Sequence, residues 1–253
     1  MRLLPAAVTG ALFIAVASAT AAPTVPWTLV ATRPHDPAAF TEGLVAHGNV
    51  LLESTGIIGR SSIWRVDPRS GHVITRRRLP SRVFGEGLTV LGGTAWQLTW
   101  LDKRLFTYAP ATLALRSRRA YPSEGWGLTT DGASLIASDG TSALRWMSPR
   151  TLRVSRTVPV RDDGQPVRNL NELEMIDGAI WANVWLTDRI AIIDPGDGHV
   201  RAWIDLQRLD PGSPNPDAVL NGIAVDPVTR LPIVTGKRWS RMYVIRPQGQ
   251  IPA

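Results

Sequence analysis

Five apolar segments of this chain each end in a proline-containing turn, and this repeat constrains the fold more than any other feature of the sequence. The five prolines lie 42, 39, 46 and 52 positions apart. A further β-like segment follows each of the first four turns. Regular self-similarity at this period is typical of propellers and other repeat architectures. The five segments are 63–68, 105–110, 144–149, 190–195 and 242–247.

A second series of residues runs in phase with these turns and opens each repeat unit. Each opening residue is followed by a turn, often Asp-Gly or Gly-Gly, and then by another strand-like segment. Each unit therefore holds four short strands, which is the pattern of a β-propeller blade. A two-sheet sandwich with coincidental spacing is the alternative. The opening residues are Glu42, Glu86, Trp126, Glu172 and Asn221.

The fifth unit is incomplete at its end, because the chain stops six residues after Pro247. The unassigned segment 27–32 near the start has the composition of a strand and can supply the missing one. We therefore predict an all-β, five-bladed β-propeller with four-stranded blades, whose last blade is closed by an N-terminal strand. This propeller forms a single domain over residues 23–253.

The first 22 residues have the pattern of a secretory signal peptide. Arg2 precedes a short apolar stretch, and small residues around Ala21 form an A-x-A type cleavage site. A membrane anchor is the alternative, but the apolar run is short for a span. We expect an exported protein, periplasmic or secreted, with no membrane attachment after cleavage. The chain has no Cys, so packing must hold the domain without disulfides.

The net charge of +7 does not by itself indicate a nucleic-acid partner. The basic residues are scattered and form no recognised binding motif, so we expect a solvated Arg-rich surface. Only Lys103 and Lys237 are lysines. The four histidines lack metal-ligand spacing, and no G-x-S-x-G motif or catalytic cysteine is present. The Asp194–Gly198 stretch resembles a calcium loop, but it falls where every blade has a turn.

Ligand sites of propellers form where the inner strands and their loops converge. The unit-opening residues, with Phe40, Phe84 and Asn171 beside them, should therefore surround one mouth. Trp100, Trp126 and Trp185 lie at strand ends next to polar loops, where a pocket role and a packing role are both open. The tryptophans within strand patterns are predicted to be core: Trp27, Trp64, Trp96, Trp146, Trp181 and Trp203.

Eight collinear motifs of the chain resemble those of the plant-type glutaminyl cyclases, including their bacterial members. This family is a five-bladed propeller and is unrelated to the zinc-dependent animal enzymes. The resemblance implies conversion of N-terminal glutaminyl residues of peptides and proteins to pyroglutamate, with release of ammonia. The motifs occupy 40–44, 84–89, 97–100, 124–129, 171–174, 181–185, 220–224 and 235–239.

The resemblance also implies roles for single residues. Glu86 is the expected catalytic carboxylate, and Asn171 and Lys237 are the expected polar groups of the substrate pocket. Plant members often carry Gln where this chain has Glu42, so Glu42 is expected in the pocket with an altered proton balance. No cofactor is expected for catalysis, although a structural metal ion is possible, and we expect a monomer. The expected apolar walls are Phe40, Phe84, Trp100, Trp126 and Trp185.

The expected chemistry suits these residue types. A peptide α-amine has a pKa of roughly 7.7 to 8.0, so part of it is neutral near pH 8 and no strong base is needed. One carboxylate can carry a proton from the attacking to the leaving nitrogen. Two alternatives stay open: a non-catalytic binding propeller, and a calcium-dependent lactonase. The ion ligands of that lactonase would be Glu42, Glu86, Asn171 and Asn221.

Overall fold

A computed structural model describes residues 20–209 and 215–252 of the chain. Within these ranges the residues form five four-stranded antiparallel sheets and one two-stranded ribbon. Residues 1–19, most of the predicted signal peptide, lie outside them. No helix in the described ranges is long and apolar enough to cross a bilayer.

The strands follow one another around the ring as the repeats predict. In chain order they are β1 (Trp27–Pro34); β2 (Thr41–His47), β3 (Val50–Thr55), β4 (Ser62–Val66) and β5 (Val73–Arg78) of blade 1; β6 (Gly85–Leu91), β7 (Thr94–Thr99), β8 (Arg104–Tyr108) and β9 (Leu115–Ala120) of blade 2; β10 (Leu128–Thr130), β11 (Leu135–Ala137), β12 (Ala143–Met147) and β13 (Val154–Pro159) of blade 3; the ribbon β14 (Arg161–Asp162) and β15 (Gln165–Pro166); β16 (Leu170–Ile176), β17 (Ala179–Val184), β18 (Arg189–Ile193) and β19 (Val200–Asp205) of blade 4; and β20 (Leu220–Val225), β21 (Pro232–Gly236) and β22 (Arg241–Pro247) of blade 5.

Blade 5 is completed by β1, which pairs antiparallel with β22 from Trp27 opposite Pro247 to Pro34 opposite Arg241. The first strands of the blades, β2, β6, β10, β16 and β20, contact one another in a closed ring. The fold is therefore a five-bladed β-propeller, and the predicted closure by the N-terminal strand is confirmed.

The core lies between neighbouring blades, because each sheet buries both of its faces there. The outer strand β9 alternates half-buried and exposed residues, so that Arg116 and Arg118 face solvent. The inner strand β17 is buried throughout. The tryptophans predicted as core are buried as expected, except Trp96, which is half-buried and packs against the core.

A break in strand pairing marks the start of four blades. The register between the first and second strands slips at Thr41/Gly43, Gly85/Leu88, Leu170/Leu173 and Leu220/Ile223. Such bulges re-aim a side chain and are frequent next to active sites. The residues immediately after the last regular pair are Glu42, Glu86, Asn171 and Asn221.

The glycine after the carboxylate in the Glu-Gly-Leu motif allows neighbouring inner strands to approach each other. A Cβ added to Gly43 would lie 2.5 Å from the backbone N of Leu88, and one added to Gly87 would lie 2.5 Å from that of Leu128. Both distances are shorter than side-chain contacts allow. The motif thus serves the packing of the ring as well as the placement of its carboxylate.

Glu172 does not occupy the position that the repeat predicted for it. Leu170 pairs with Val184 as Gly85 pairs with Thr99, so Asn171 is the counterpart of Glu86, and Glu172 stands where other blades have glycine. Its carboxylate accepts hydrogen bonds from the backbone N–H of Leu44 at 3.2 Å and of Ile223 at 2.8 Å. The expected alignment was wrong by one residue, and Glu172 ties three blades together instead of facing the mouth.

Candidate active site

The chain forms one axial pocket to which all five blades contribute. In antiparallel blades, the start of the first strand and the end of the second strand lie at the same edge of the sheet. The pocket residues come from these two places or from the loops beside them, and they enclose a cavity of about 370 Å³. The lining residues are Phe40, Glu42, Ile57, Phe84, Glu86, Trp100, Trp126, Asn171, Trp185, Leu186, Pro216, Asp217 and Lys237.

All nine residues predicted for the site line this cavity. The exposed fraction of each side chain shows how deep in the cavity it lies. Glu42 is 1% exposed, Glu86 6% and Lys237 7%, so the charged groups form the base. Four of the five aromatic side chains are half-buried between this base and the mouth, and Trp100 is 36% exposed. Asn221 was expected to surround the same mouth, but it does not line the cavity. Its amide instead donates to the backbone O of Thr41 at 2.9 Å and to Glu42 at 3.2 Å.

Glu42 and Lys237 form an ion pair at the base of the pocket. The Nζ of Lys237 lies 2.8 Å from Oε1 and 2.7 Å from Oε2 of Glu42. Burial raises the pKa of Glu42 to about 7 even though Lys237 lowers it. The ammonium also lies 4.8 Å from the centroid of the Phe40 ring, within the range of a cation–π contact.

Glu86 differs from Glu42 in its contacts. Its carboxylate makes no hydrogen bond or ion pair with any residue of the described ranges. Burial raises the pKa of Glu86 well above its ordinary value, the negative charges of Glu42 and Glu124 raise it further, and Lys237 opposes them. A buried carboxyl without a partner, held in a cavity, is available to an entering ligand.

The backbone around Glu86 is held on both sides. Its carbonyl accepts a hydrogen bond from the Ser54 hydroxyl. The next N–H, that of Gly87, donates to the carbonyl of Trp126 in blade 3 at 2.6 Å. The Glu86 carboxylate is thus attached to a backbone that hydrogen bonds from the two neighbouring blades hold in place.

Asn171 is a second buried polar group of the pocket. Its Oδ1 is buried and has no hydrogen-bond partner within residues 20–209 and 215–252. Its backbone carbonyl accepts from the Ser138 hydroxyl at 2.7 Å, which secures the strand. A buried amide left without a partner is costly, so its place in a cavity indicates that a ligand completes it.

The aromatic walls pack against one another edge to face. The centroids of Phe40 and Phe84 lie 6.1 Å apart, those of Phe84 and Trp100 5.7 Å, and those of Trp126 and Trp185 5.5 Å. Edge-to-face pairs at these distances are favourable and fix ring orientation. The walls therefore form a shaped apolar slot above a polar base.

Glu124 is a residue that the sequence analysis missed. Its Oε1 accepts from the indole N–H of Trp126 at 2.9 Å and also from that of Trp100. One carboxylate thus orients two walls of the pocket that come from different blades. The sequence did contain a sign of this contact. Glu124 stands two positions before Trp126, and residues two apart in an extended chain share a face.

The geometry argues against a calcium site at this end of the ring. Glu42 faces the ammonium of Lys237 rather than a set of oxygen ligands, and the amide N–H of Asn221 points at Glu42. The calcium-like stretch forms the turn between β18 and β19, as predicted. There the carboxylate of Asp194 accepts from the backbone N–H of Gly196 at 2.5 Å and from the Arg201 side chain.

A five-bladed propeller that holds a buried carboxyl of raised pKa in an aromatic axial slot is suited to acid–base catalysis. Comparison with known proteins agrees. Residues 3–246 match the family model for glutamine cyclotransferase. The chain is 45% identical over 224 residues to a glutaminyl-peptide cyclotransferase of Arabidopsis thaliana, covering 86% of this chain and 70% of the relative.

A solved structure shows the same similarity. The crystal structure of Myxococcus xanthus glutaminyl cyclase superposes with a TM-score of 0.83 at 36% identity, covering 89% of this chain and 97% of that one. The chain belongs to the glutamine cyclotransferase family and is an enzyme of that family.

Proposed function

We propose that this enzyme converts the N-terminal glutaminyl residue of peptides and proteins to pyroglutamate and releases ammonia. One observation carries the proposal. Of the four polar side chains at the base of the pocket, Glu42 and Lys237 neutralise each other, whereas Glu86 and Asn171 have no partner among the described residues. These two are the groups that a substrate would engage.

Glu86 acts as a single acid and base. The neutral α-amine of the substrate attacks the carbon of its own γ-amide, which forms the new C–N bond of the lactam ring. Glu86 takes one proton from the attacking nitrogen and gives it to the amide nitrogen, which leaves as ammonia when the C–N bond breaks. The carboxylate is regenerated, so the proton balance of the enzyme is unchanged. A raised pKa suits this role, because the proton must be both accepted and returned near neutral pH.

The oxyanion that develops on the γ-carbonyl needs a donor. The Asn171 amide and the Lys237 ammonium both line the cavity beside Glu86. An ammonium has three N–H groups, so Lys237 retains one donor beyond the two that face the Glu42 carboxylate. Preorganised donors of this kind contribute strongly in a site that excludes water.

The aromatic slot holds the glutaminyl side chain in the conformation that cyclisation requires. Cyclisation requires the glutaminyl side chain to fold back so that its amine and amide carbon approach to about 3 to 3.5 Å. Walls fixed by edge-to-face contacts favour the compact conformation of the methylene groups and exclude water. The attacking group is then the substrate's own amine instead of a water molecule.

The test is incubation of the purified protein with Gln-initiated peptides, followed by mass spectrometry for the loss of ammonia. Glu86→Gln should abolish turnover while the circular dichroism spectrum is unchanged. Asp163→Asn, an exposed carboxylate in the β14–β15 turn, is the control and should retain full activity. Substantial turnover by Glu86→Gln would reject the role of Glu86, and hydrolysis of lactones without cyclisation of peptides would favour the lactonase alternative.

We further propose that turnover needs no metal, since every step assigned above is a proton transfer or a hydrogen bond of a side chain. Activity should therefore persist after dialysis against a chelator, and its loss would contradict this. We also propose export as a monomer after removal of residues 1–22. N-terminal sequencing and light scattering of the exported protein would check both points.

A further inference from the structure

The mouth of the pocket carries exposed apolar side chains. Leu186 is 61% exposed and Trp100 36%, and Ile57 is half-buried. All three line the cavity, and we refer to them as the mouth cluster. The residues that follow Ile57 and Trp100, Ile58 and Leu101, are also large, apolar and more than 60% exposed.

Two residues of the mouth cluster adopt a left-handed backbone conformation that is unfavourable for their residue types. Ile57 has φ 80° and Leu186 has φ 64°, whereas a β-branched residue at positive φ is a genuine outlier. The turn around Ile57 holds it there, because its carbonyl accepts from Arg60 N at 2.9 Å and Ser61 N at 2.8 Å. Exposed apolar side chains in strained turns do not stabilise the fold, and such strain concentrates at functional sites.

The path of a substrate leads past these residues. The reacting amine and amide must reach Glu86 at the buried base, so the main-chain carbonyl of the glutaminyl residue points toward the mouth. The second residue of the peptide is attached to that carbonyl and advances by only about 3.3 to 3.6 Å along the chain. It therefore lies between the aromatic walls and solvent, at the level of the mouth cluster.

We propose that the mouth cluster is a binding subsite for the second residue of the peptide substrate and that it favours an apolar or aromatic side chain there. This inference rests on the proposed function and specifies its substrate class. An apolar second residue would cover Ile57, Trp100 and Leu186 and remove their surface from water, which is favourable in proportion to the area buried. Asp217 on the same rim offers a charge to a basic residue, but an exposed carboxylate in water contributes little.

The experiment compares peptides that differ only at the second residue: Gln-Phe, Gln-Leu, Gln-Gly, Gln-Asp and Gln-Lys, each with the same following sequence. We expect kcat/KM for Gln-Phe and Gln-Leu to exceed that for Gln-Gly by about tenfold, the usual effect of an apolar group in an apolar site. The difference should reside in KM, because a contact that is equal in the bound substrate and the transition state changes KM and leaves kcat unchanged.

Leu186→Asn tests the cluster itself. Asn tolerates positive φ, so the turn is kept while the apolar contact is lost. The advantage of Gln-Phe over Gln-Gly, measured as the ratio of their kcat/KM values, should fall from about tenfold to near one. Leu29→Asn is the matched control, since Leu29 is 49% exposed on β1 of blade 5 and does not line the pocket. This control substitution should leave kcat/KM unchanged for both peptides.

The outcomes separate the two proposals. Equal kcat/KM for Gln-Phe and Gln-Gly, or an unchanged preference in Leu186→Asn, would reject the subsite while the cyclase function stands. A higher kcat/KM for Gln-Lys than for Gln-Phe would indicate that Asp217 binds the second residue, and it would overturn the apolar subsite. Absence of turnover for every peptide would reject the proposed function and this inference together.

Discussion

The Nζ of Lys237 lies 2.7 Å from Oε2 of Glu42, and both side chains are buried at the base of the axial pocket. Next to this pair lies the carboxyl of Glu86, which has no hydrogen bond or ion pair within the part of the chain that the structure describes. Because the charge of Glu42 raises the pKa of Glu86 and that of Lys237 lowers it, this pair controls the proton affinity of the proposed catalytic group.

Replacing Glu42 with Gln should shift the activity of the enzyme to lower pH. The substitution removes a negative charge that raises the Glu86 pKa and leaves Lys237, which lowers it, without a counter-charge. Both effects have the same sign, so Glu86 should ionise at lower pH. The measurement is the acidic limb of the pH profile of kcat/KM. An unmoved or alkaline-shifted limb would contradict the coupling.

Replacing Lys237 with Met should destabilise the fold more at high pH than at low pH. Burial raises the Glu42 pKa to about 7 while Lys237 lowers it, so without Lys237 the carboxyl must stay protonated or be buried as a lone charge. The raised folded pKa means that stability is retained below the ordinary pKa of Glu42 and lost as pH rises through the folded value.

The expected loss is about 3 kcal/mol at pH 9, the usual cost of breaking a buried ion pair, and less at pH 6. Urea unfolding at the two pH values measures it. Lys103→Met is the matched control, because Lys103 is the only other lysine and is exposed. A loss that is equal at both pH values would point to packing alone.

Replacing Glu124 with Ala should loosen the aromatic slot. The indole N–H groups of Trp100 and Trp126 would lose their shared acceptor, and the two walls would no longer be held in register. We expect KM to rise about tenfold, which corresponds to about 1.4 kcal/mol of binding, with a smaller change in kcat. Glu124→Gln keeps an acceptor oxygen and should restore most of the affinity. Unchanged KM in Glu124→Ala would show that the indoles need no carboxylate.

Replacing Gly87 with Ala should destabilise the ring by about 1 to 3 kcal/mol, the range for overpacking. The new Cβ would lie 2.5 Å from backbone atoms of Gly127 and Leu128, which are not free to move like the end of a flexible side chain. Thermal unfolding measures the loss. Gly93→Asn is the control, because nothing lies within 4 Å of a Cβ there and Asn tolerates its positive φ.

The sequence predicted most of the fold because each blade repeats a local pattern. The turn prolines and the unit openings mark every sheet, and the leftover segment at 27–32 was available to complete the last blade. The residues that converge on the axis were also identifiable, because the starts of equivalent strands must meet when five similar units close a ring.

What the sequence could not supply is register and loop geometry. In blade 4, the pairing of Leu170 with Val184 puts Asn171 in the place of Glu86, and the spacing of the sequence repeat does not fix that pairing to the residue. Ile57 and Leu186 reach the mouth through strained turns that propensity argues against. Glu42 and Lys237 are 195 positions apart, so only the closed ring shows that they neutralise each other.

Because β1 pairs with β22 in the last blade, the last step of folding also completes the axial pocket. The two strands stand more than 200 positions apart, and pairings between such distant segments form slowly. A chain that has built four blades already has Glu86 and the aromatic walls but lacks Lys237, the counter-charge of Glu42 that comes from the last blade. The recovery of cyclase activity during refolding would therefore measure closure of the ring of blades. The recovery of strand content would not, because four blades can form before the ring closes.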